Sequence, residues 1–347
     1  MKRFAYALVV VLLLCGMTAM MTSCNFNFFD VFGGEDTTAD NPDETTPTEE
    51  TSRTPNVDIP EEDTLPEAQD TTAPEDDVEP PAEDVTEGDG ESAGEEETVV
   101  YLTFSGTDVT SSVAGAVTVT DSIYLISKPG TYELAGELTD GQIRVQVAKT
   151  EDVTLVLNNF KAHCSFSAPL YIVSADEATI QMPEGTVNVF TDTAAYTHSL
   201  DTKPNACIYS SDDLTIRGKG SLKVTGLWNN GIGCKNDLVL RTGDITVIAY
   251  NNAIKGNGSV TIENGADILI SEGDDGIKSD SLDAGKGFIR ICEESFVVIL
   301  CQNDALQATQ DITVEAGSQV WYSCETPYQC DGTVNIADGS VNEQLEE

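Results

Sequence analysis

One short phrase recurs four times in the last third of this chain. Each copy joins two Asn or Asp residues to a small residue and an aliphatic one, as in Asn229-Asn230-Gly231-Ile232, Asn251-Asn252-Ala253-Ile254, Asp274-Asp275-Gly276-Ile277 and Asn303-Asp304-Ala305-Leu306. The copies begin 22, 23 and 29 residues apart, which is the length of one coil of a β-solenoid. In stacked coils, equivalent residues lie about 4.8 Å apart. The longest interval contains the additional segment 281–286, and such insertions tend to fall on the working face of a solenoid.

Short apolar runs accompany the repeat from about Val99 onward, without any helical period. The first run of a coil contains Leu238/Leu240, Val260/Ile262, Ile289/Ile291 and Ile312/Val314, and earlier Leu214/Ile216 and Ala178/Ile180. The second run contains Ile245/Val247, Ile268/Ile270, Val297/Ile299 and Val320/Tyr322, and earlier Leu222/Val224 and Val187/Val189. A third run follows each phrase. Three strands per coil over about seven coils predict an all-β fold, a parallel β-helix.

The N-terminal residues have the features of a bacterial lipoprotein signal peptide. Lys2 and Arg3 precede an apolar run that is short for a membrane span. Met21-Thr22-Ser23-Cys24 resembles a lipobox. We therefore expect residues 1–23 to be removed and Cys24 to carry lipid, with ordinary secretion as the alternative. This predicts a protein on the extracellular face of the cell membrane, in contact with the membrane through the lipid anchor only.

The formal net charge of −43 is unevenly distributed. Residues 35–98 hold 25 acidic residues and one basic residue, whereas residues 99–347 hold 34 and 14. Residues 34–98 are rich in Thr, Pro, Asp and Glu and contain almost no aromatic residues, so we expect a disordered tether over residues 24–98 followed by a β-helix domain at 99–347. Such a surface excludes nucleic acid, which binds clustered Lys and Arg. We expect a monomer.

Seven cysteines follow Cys24, an odd number that cannot pair completely within one chain. Cys324 and Cys330 are near enough in sequence to close a small loop. The others stand singly in predicted strands, where we expect buried free thiols. The chain contains no Cys-x-x-Cys pair and its two His residues lie in different contexts, so a zinc site has little support.

The second phrase position forms a column of side chains with the members Asn205, Asn230, Asn252, Asp275, Asp304 and Asp331. Stacked asparagines can satisfy one another, so we interpret the first half as a structural ladder. Stacked carboxylates repel, so the second half needs either protons or a cation. Extracellular Ca²⁺ takes oxygen ligands. We predict that calcium is held by Asp274, Asp275, Asp280, Asn303, Asp304, Asn251 and Asn252.

Two lysines and two aromatic residues stand beside this column. Lys255 and Lys278 either balance the aspartates or contact a polysaccharide. Lys278 is also a candidate base for a uronate lyase, in which calcium acidifies the sugar proton to be removed. A lysine beside carboxylates holds its proton firmly, so we expect no catalytic residue. Trp228 and Tyr250 precede successive Asn-Asn phrases, where they either cover a turn or present flat faces to sugar rings.

Residues 130–339 resemble the β-helical carbohydrate-binding domain family of bacterial cell-surface proteins, which is related in fold to family-9 polysaccharide lyases. The segments that carry the resemblance are 152–158, 211–218 and 273–280. The resemblance implies a right-handed β-helix, bound calcium and recognition of plant cell-wall polysaccharide, including acidic pectic chains, without established cleavage. The chain departs from the family pattern at Asn251–Ile254, where Asp and Gly are more usual, and in its unusual cysteines Cys207, Cys234, Cys292 and Cys301.

These observations predict a cell-surface protein that binds polysaccharide in a calcium-dependent manner. One alternative is a calcium-dependent uronate polysaccharide lyase. A second alternative is a non-enzymatic structural adhesin, in which calcium only rigidifies the solenoid.

Overall fold

The computed structural model describes residues 98–197 and 203–343. The predicted signal peptide, Cys24 and the acidic segment lie outside the described residues, so the domain boundaries stay predictions. The regular elements of the described residues are all β-strands. No helix within them is long and apolar enough to cross a membrane.

The strands are numbered in chain order. The first fourteen are β1 (Val100–Gly106), β2 (Asp108–Ser111), β3 (Thr118–Thr120), β4 (Ile123–Ile126), β5 (Gly130–Leu138), β6 (Gln142–Gln146), β7 (Val153–His163), β8 (Leu170–Ser174), β9 (Glu177–Gln181), β10 (Val187–Thr191), β11 (Ala206–Ser210), β12 (Asp213–Arg217), β13 (Ser221–Gly226) and β14 (Asn230–Cys234). The others are β15 (Asp237–Arg241), β16 (Asp244–Ala249), β17 (Ile254–Gly256), β18 (Ser259–Glu263), β19 (Asp267–Glu272), β20 (Ile277–Ser279), β21 (Phe288–Ile291), β22 (Phe296–Leu300), β23 (Asp304–Ala308), β24 (Asp311–Val314), β25 (Gln319–Ser323), β26 (Thr326–Cys330), β27 (Thr333–Ile336) and β28 (Val341–Glu343).

Parallel pairing between coils arranges these strands in three columns. The first column stacks β5, β7, β9, β12, β15, β18, β21, β24 and β27. The second stacks β10, β13, β16, β19, β22, β25 and β28, and the third β4, β6, β8, β11, β14, β17, β20, β23 and β26. The long strand β7 pairs in both the first and the second columns. Antiparallel pairs β1–β2 and β3–β4 close the N-terminal end. The parallel β-helix predicted from the repeat is confirmed.

The core is a set of aliphatic stacks in which each coil covers the next. In the first column Leu238 aligns with Val260, Val260 with Ile289, and Ile289 with Ile312. All four side chains are 0% exposed. Burying one such side chain contributes roughly 1.5–3 kcal/mol, and this gain requires the neighbouring coils to be in register.

The predicted inward positions of one strand are wrong. In β10 the inward residues are Asn188 and Phe190, each 0% exposed, whereas Val187 is 46% exposed and Val189 also faces outward. Asn188 is tolerated inside because its Oδ1 accepts a hydrogen bond from Phe160 N (2.9 Å) and its amide also donates to neighbours. A buried polar group costs little once it is hydrogen-bonded. The alternation of valines in β10 therefore placed the predicted inward positions one residue away from the observed ones.

The cysteine pairing differs from the loop considered from sequence spacing. Cys301 is bonded to Cys324, and Cys330 is free. The bonded pair is 23 residues apart, one coil, and its Cα atoms are 5.0 Å apart. Strands β22 and β25 are in register up to the residues just before these cysteines, so stacking supplies the short separation that a disulfide needs. The expectation of buried free thiols is confirmed for Cys164, Cys207 and Cys234.

We expect the disulfide to stabilise the domain by restricting the unfolded chain. Replacing Cys324 with Ser should lower the free energy of unfolding by roughly 2–4 kcal/mol, as for other loops of this length. Urea unfolding followed by circular dichroism measures the loss. Cys292→Ser is the control because Cys292 is a free, half-buried thiol. Equal unfolding curves for Cys324→Ser and the oxidised wild type would contradict the prediction.

Candidate functional site

The repeated phrase lies in the turn between the second and third columns. One backbone hydrogen bond per coil joins its first residues, from Asn251 N to Asn229 O (2.8 Å), from Asp274 N to Asn251 O (2.9 Å) and from Asn303 N to Asp274 O (2.8 Å). The third-column strands that follow are paired in the same register. The phrase residues are therefore stacked coil upon coil, as the spacing predicted.

The N-terminal half of the column is an asparagine ladder. Asn251 Nδ2 donates to Asn229 Oδ1 (2.9 Å), and Asn252 Nδ2 donates to Asn230 Oδ1 (2.8 Å). The side chains of Asn229 and Asn230 both donate to the backbone carbonyl of Asn205, each over 3.0 Å. The ladder satisfies turn backbone as well as side chains, which fits the structural interpretation of these asparagines.

The ladder ends on an acceptor that lacks a donor. Asn252 Oδ1 is buried and has no hydrogen-bond partner among the described residues. The next member of the column is Asp275, which is 5% exposed and, when ionised, only accepts hydrogen bonds. Asp275 has Lys278 Nζ at 3.2 Å and Asp304 N at 3.4 Å. A buried unpaired acceptor is costly, so a cation would be most stabilising at this step of the column.

An open cavity of 660 Å³ lies beside β20, β23 and β26. Its walls are polar apart from one aromatic ring, and its lining residues are Asp274, Asp275, Lys278, Asn303, Asp304, Gln307, Glu325, Thr326, Tyr328 and Gln329. Asn303 Nδ2 donates to Asp274 Oδ1 (2.7 Å), and Thr326 Oγ1 donates to Asp304. The cavity thus gathers carboxylates, amides and one ammonium group at a single open surface.

The seven residues predicted to bind calcium fall in three places. Four of them line the cavity, namely Asp274, Asp275, Asn303 and Asp304. Asn251 and Asn252 belong to the asparagine ladder. Asp280 directly follows β20, on the far side of that strand from the phrase, and its carboxylate lies 2.6 Å from Lys255 Nζ. The cavity lining does not include it.

The oxygen donors at the cavity suit a hard cation only in part. Within residues 98–197 and 203–343, no three Asp, Glu, His or Cys side chains converge as ligands of one metal ion. The donors at hand are separate carboxylates and the unpaired Asn252 Oδ1. Ca²⁺ takes six to eight oxygen ligands. A calcium ion bound here would need further oxygens from water, backbone carbonyls or an anionic ligand.

The two predicted lysines are neighbours in the third column. Lys255 lies 2.6 Å from Asp280, and Lys278 lies 3.2 Å from Asp275. Each ammonium group is thus ion-paired with a carboxylate, and Lys278 would have to leave Asp275 to act as a base. Both lysines remain suited to contact an anionic sugar.

Several residues that line the cavity were not identified from the sequence. Gln307 and Gln329 occupy the Lys278 position in the next two coils, and Thr326 aligns with Asp304. The column therefore continues to Thr326, and the expectation of Asp331 is wrong. At the other end of the column the expectation of Asn205 is also wrong, because Ala206 aligns with Asn230. Counting one coil of 22 residues from Asp304 would have found Thr326, but the Asn/Asp signature is lost there.

The aromatic residues occupy different environments. Trp228 is half-buried and stacks on Tyr196, with ring centroids 3.9 Å apart and planes at 17°. Tyr250 is 75% exposed. Tyr328 lines the cavity and is 42% exposed. Tyr196 lies outside the repeated phrase, and Tyr328 occupies its aliphatic position in a coil that lacks the Asn/Asp residues, so the sequence pattern did not identify either of them.

A buried carboxylate supports the Trp228 stack. Asp192 is 0% exposed and accepts hydrogen bonds from Tyr196 Oη (2.6 Å) and Leu227 N (2.5 Å). Desolvation raises the pKa of Asp192 to about 6, although these hydrogen bonds and one from the Trp228 backbone lower it. Desolvation therefore outweighs hydrogen bonding, and the group exchanges its proton in mildly acidic solution.

The raised pKa of Asp192 predicts a pH dependence of stability. Its protonated form favours the fold, so the stabilising contribution is complete below the ordinary pKa of 3.8 and is lost as the pH rises through about 6. We expect the free energy of unfolding to fall by about 3 kcal/mol across this window through Asp192. Urea unfolding over a pH series should show this loss in wild type but not in Asp192→Asn. An exposed carboxylate changed in Asp176→Asn is the control, and parallel pH profiles for wild type and Asp192→Asn would contradict the prediction.

The fold and the cavity define the class: a parallel β-helix with a polar, open surface site built across neighbouring coils. A family model described as carbohydrate-binding domain-containing protein matches residues 120–342. A carbohydrate-binding domain-containing protein of Acetivibrio thermocellus is 37% identical over 248 residues, which cover 71% of this chain and 86% of the relative. The chain belongs to this carbohydrate-binding domain-containing family, and the resemblance noted from sequence is confirmed.

A solved structure is also similar. It is described as the polysaccharide lyase-like protein from C. thermocellum, in a gadolinium derivative. The TM-score is 0.68 at 37% sequence identity, and the match covers 72% of this chain and all of that chain.

Proposed function

We propose that this chain is a cell-surface protein, lipid-anchored through Cys24, that binds an acidic polysaccharide in a calcium-dependent manner at the cavity beside β20 and β23. Family membership supports a carbohydrate ligand. The observation that carries the proposal is the 660 Å³ cavity, which is lined by three aspartates, one lysine and Tyr328.

Calcium explains how an acidic domain can hold an acidic polymer. Residues 99–347 contain 34 acidic and 14 basic residues, so their formal charge is 14 − 34 = −20. Carboxylates on both sides repel unless a divalent cation neutralises them. The separate carboxylates of Asp274, Asp275 and Asp304 leave coordination positions that a sugar carboxylate would fill. The ion and the ligand would then complete one site together.

One further observation favours a hard cation. Asn252 Oδ1 is a buried acceptor without a hydrogen-bond partner among the described residues, and a cation near Asp275 would satisfy it.

A lyase is the second candidate, because the similar solved structure is described as polysaccharide lyase-like. Lys278 lines the cavity and would be the base. Its ammonium group is ion-paired with Asp275, 3.2 Å away, and would have to leave this partner to reach a sugar proton. We therefore favour binding without cleavage.

Binding of polygalacturonate to the full chain tests the proposal. We expect added calcium to raise the affinity about tenfold or more over that in a chelator, and Asp274→Asn/Asp304→Asn to abolish this calcium response. Calorimetry gives the affinity, and ultraviolet absorbance detects unsaturated lyase products. Asp176→Asn/Asp338→Asn removes two exposed carboxylates outside the cavity and should leave the response intact.

The outcomes separate the three functions. Calcium-dependent binding without rising absorbance supports the proposed binder, and rising absorbance supports the lyase. Calcium that raises thermal stability without any polymer binding supports the structural adhesin. Equal affinity with calcium and with chelator would contradict calcium bridging.

Tyr328 should contribute a flat apolar surface to the same ligand. We expect Tyr328→Ala to weaken polygalacturonate binding about fivefold, roughly 1 kcal/mol, because a ring face that packs on the ligand is lost. Trp321→Ala is the control, since Trp321 is 36% exposed on the second column. The role assigned to Tyr328 fails if both variants bind the polymer with wild-type affinity.

A further inference from the structure

Lysines gather at the third column, one to three coils before the acidic cavity. Tyr209, Gly233 and Lys255 occupy the same outward position in successive coils. Lys203 Nζ lies over the Tyr209 ring, 5.1 Å from its centroid. Lys235 directly follows β14 and its backbone N–H donates to Ser210 O (2.9 Å). These placements put Lys203, Lys235 and Lys255 around the outer surface of Gly233, and we call these three residues the lysine cluster.

The surface under the lysine cluster carries no charge. A Cβ at Gly233 would lie 2.8 Å from Ala206 Cβ and 3.0 Å from Tyr209 Cδ2, so only glycine leaves room for the tyrosine ring. Tyr209 is 2% exposed, so its ring is buried and Lys203 lies over it. An ammonium group over an aromatic face is favourable, but the ring does not neutralise it. The ring beneath Lys203 is thus uncharged, and the Asp280 carboxylate pairs with Lys255 at the edge of the cluster.

The cluster has more cations than anions. Among the described residues, Lys255 pairs with Asp280 at 2.6 Å, whereas neither Lys203 nor Lys235 has a carboxylate within 4.0 Å. Desolvation lowers the pKa of Lys203, the charges of Lys255 and Lys235 lower it further, and Asp280 only partly offsets them. In a domain with 34 acidic and 14 basic residues, an excess of positive charge at one place is a local exception that attracts anions.

We propose that the lysine cluster is a second polysaccharide subsite, one that binds a uronate carboxylate directly, without calcium. The proposal rests on the proposed function, because both subsites would contact one acidic chain along the third column. Lys255 and Lys278 are aligned on adjacent coils, so the cluster and the cavity are continuous on this face. A polymer lying along the column meets ammonium groups at one end and calcium-bridged carboxylates at the other.

The direct subsite is tested with the full chain in the presence of a chelator, where calcium bridging is removed. We expect wild type to retain weak binding of polygalacturonate that falls as salt is raised. Lys203→Gln/Lys235→Gln should lower this calcium-independent affinity about tenfold or more, as expected for lost hydrogen bonds to a charged group. Fully methyl-esterified polygalacturonate, which lacks the carboxylates, should bind no better to wild type than to the variant.

Lys219→Gln/Lys223→Gln is the matched control. It removes two exposed charges outside the third column, one of them on β13, so it should bind the polymer in chelator like wild type. Equal losses in both double variants would mean a general charge effect and would overturn the subsite. No loss in Lys203→Gln/Lys235→Gln, with wild type still binding in calcium, would overturn the lysine subsite and leave the proposed function standing.

A monosaccharide ligand tests the lysine subsite even if the polymer does not bind. Free galacturonate should shift the Gly233 amide resonance of the full chain, and galactose, which lacks the carboxylate, should not. A shift that Lys203→Gln/Lys235→Gln abolishes supports the lysine subsite independently of polymer binding. Identical responses to the two sugars would overturn it.

Discussion

Hydrogen bonding between successive coils is the constraint on which every other feature of this domain depends. Each third-column strand pairs in parallel with the next, and the turns before these strands are joined by backbone bonds such as Asp274 N to Asn251 O (2.9 Å). This register buries aliphatic stacks such as Leu238, Val260 and Ile289. It also forces polar side chains that are 22 to 29 residues apart to become neighbours. The same spacing that builds the core therefore builds the site.

The forced proximity has opposite consequences along one column. Amide side chains both donate and accept, so Asn251 donates to Asn229 (2.9 Å), Asn229 donates to the Asn205 carbonyl, and hydrogen bonds continue along the ladder until Asn252 Oδ1. Carboxylates only accept, so the change from Asn252 to Asp275 leaves acceptors that need an external positive charge. Lys278 supplies part of it at 3.2 Å. In the preceding coils, Lys203 and Lys235 carry positive charges that have no carboxylate partner among the described residues. The outer face of the third column thus passes from an excess of cations to an excess of anions within a few coils.

Most of the fold could be derived from the sequence, because a solenoid repeats its environment and its sequence together. The alternation of apolar residues located the first and second columns, and the phrase located the third. The exceptions are places where one residue departs from the repeat. Asn188 is inside because Phe160 N gives it a partner (2.9 Å), and no pattern of hydrophobicity contains that information. Asp280 was grouped with the other aspartates because it is near them in sequence. The intervening strand β20 separates it from them and places its carboxylate beside Lys255. Tyr328 and Thr326 were missed because the last coil keeps the geometry of the phrase without its residue types.

A crystal structure of the calcium-soaked chain, with the metal identified by its anomalous scattering, tests the central claim most directly. Our account predicts a cation on the step between Asn252 and Asp304, with Asp275 among its ligands at the 2.3–2.6 Å distances of calcium. It also predicts open coordination positions facing the cavity. A cavity without metal at saturating calcium, or calcium bound away from this column, would contradict it.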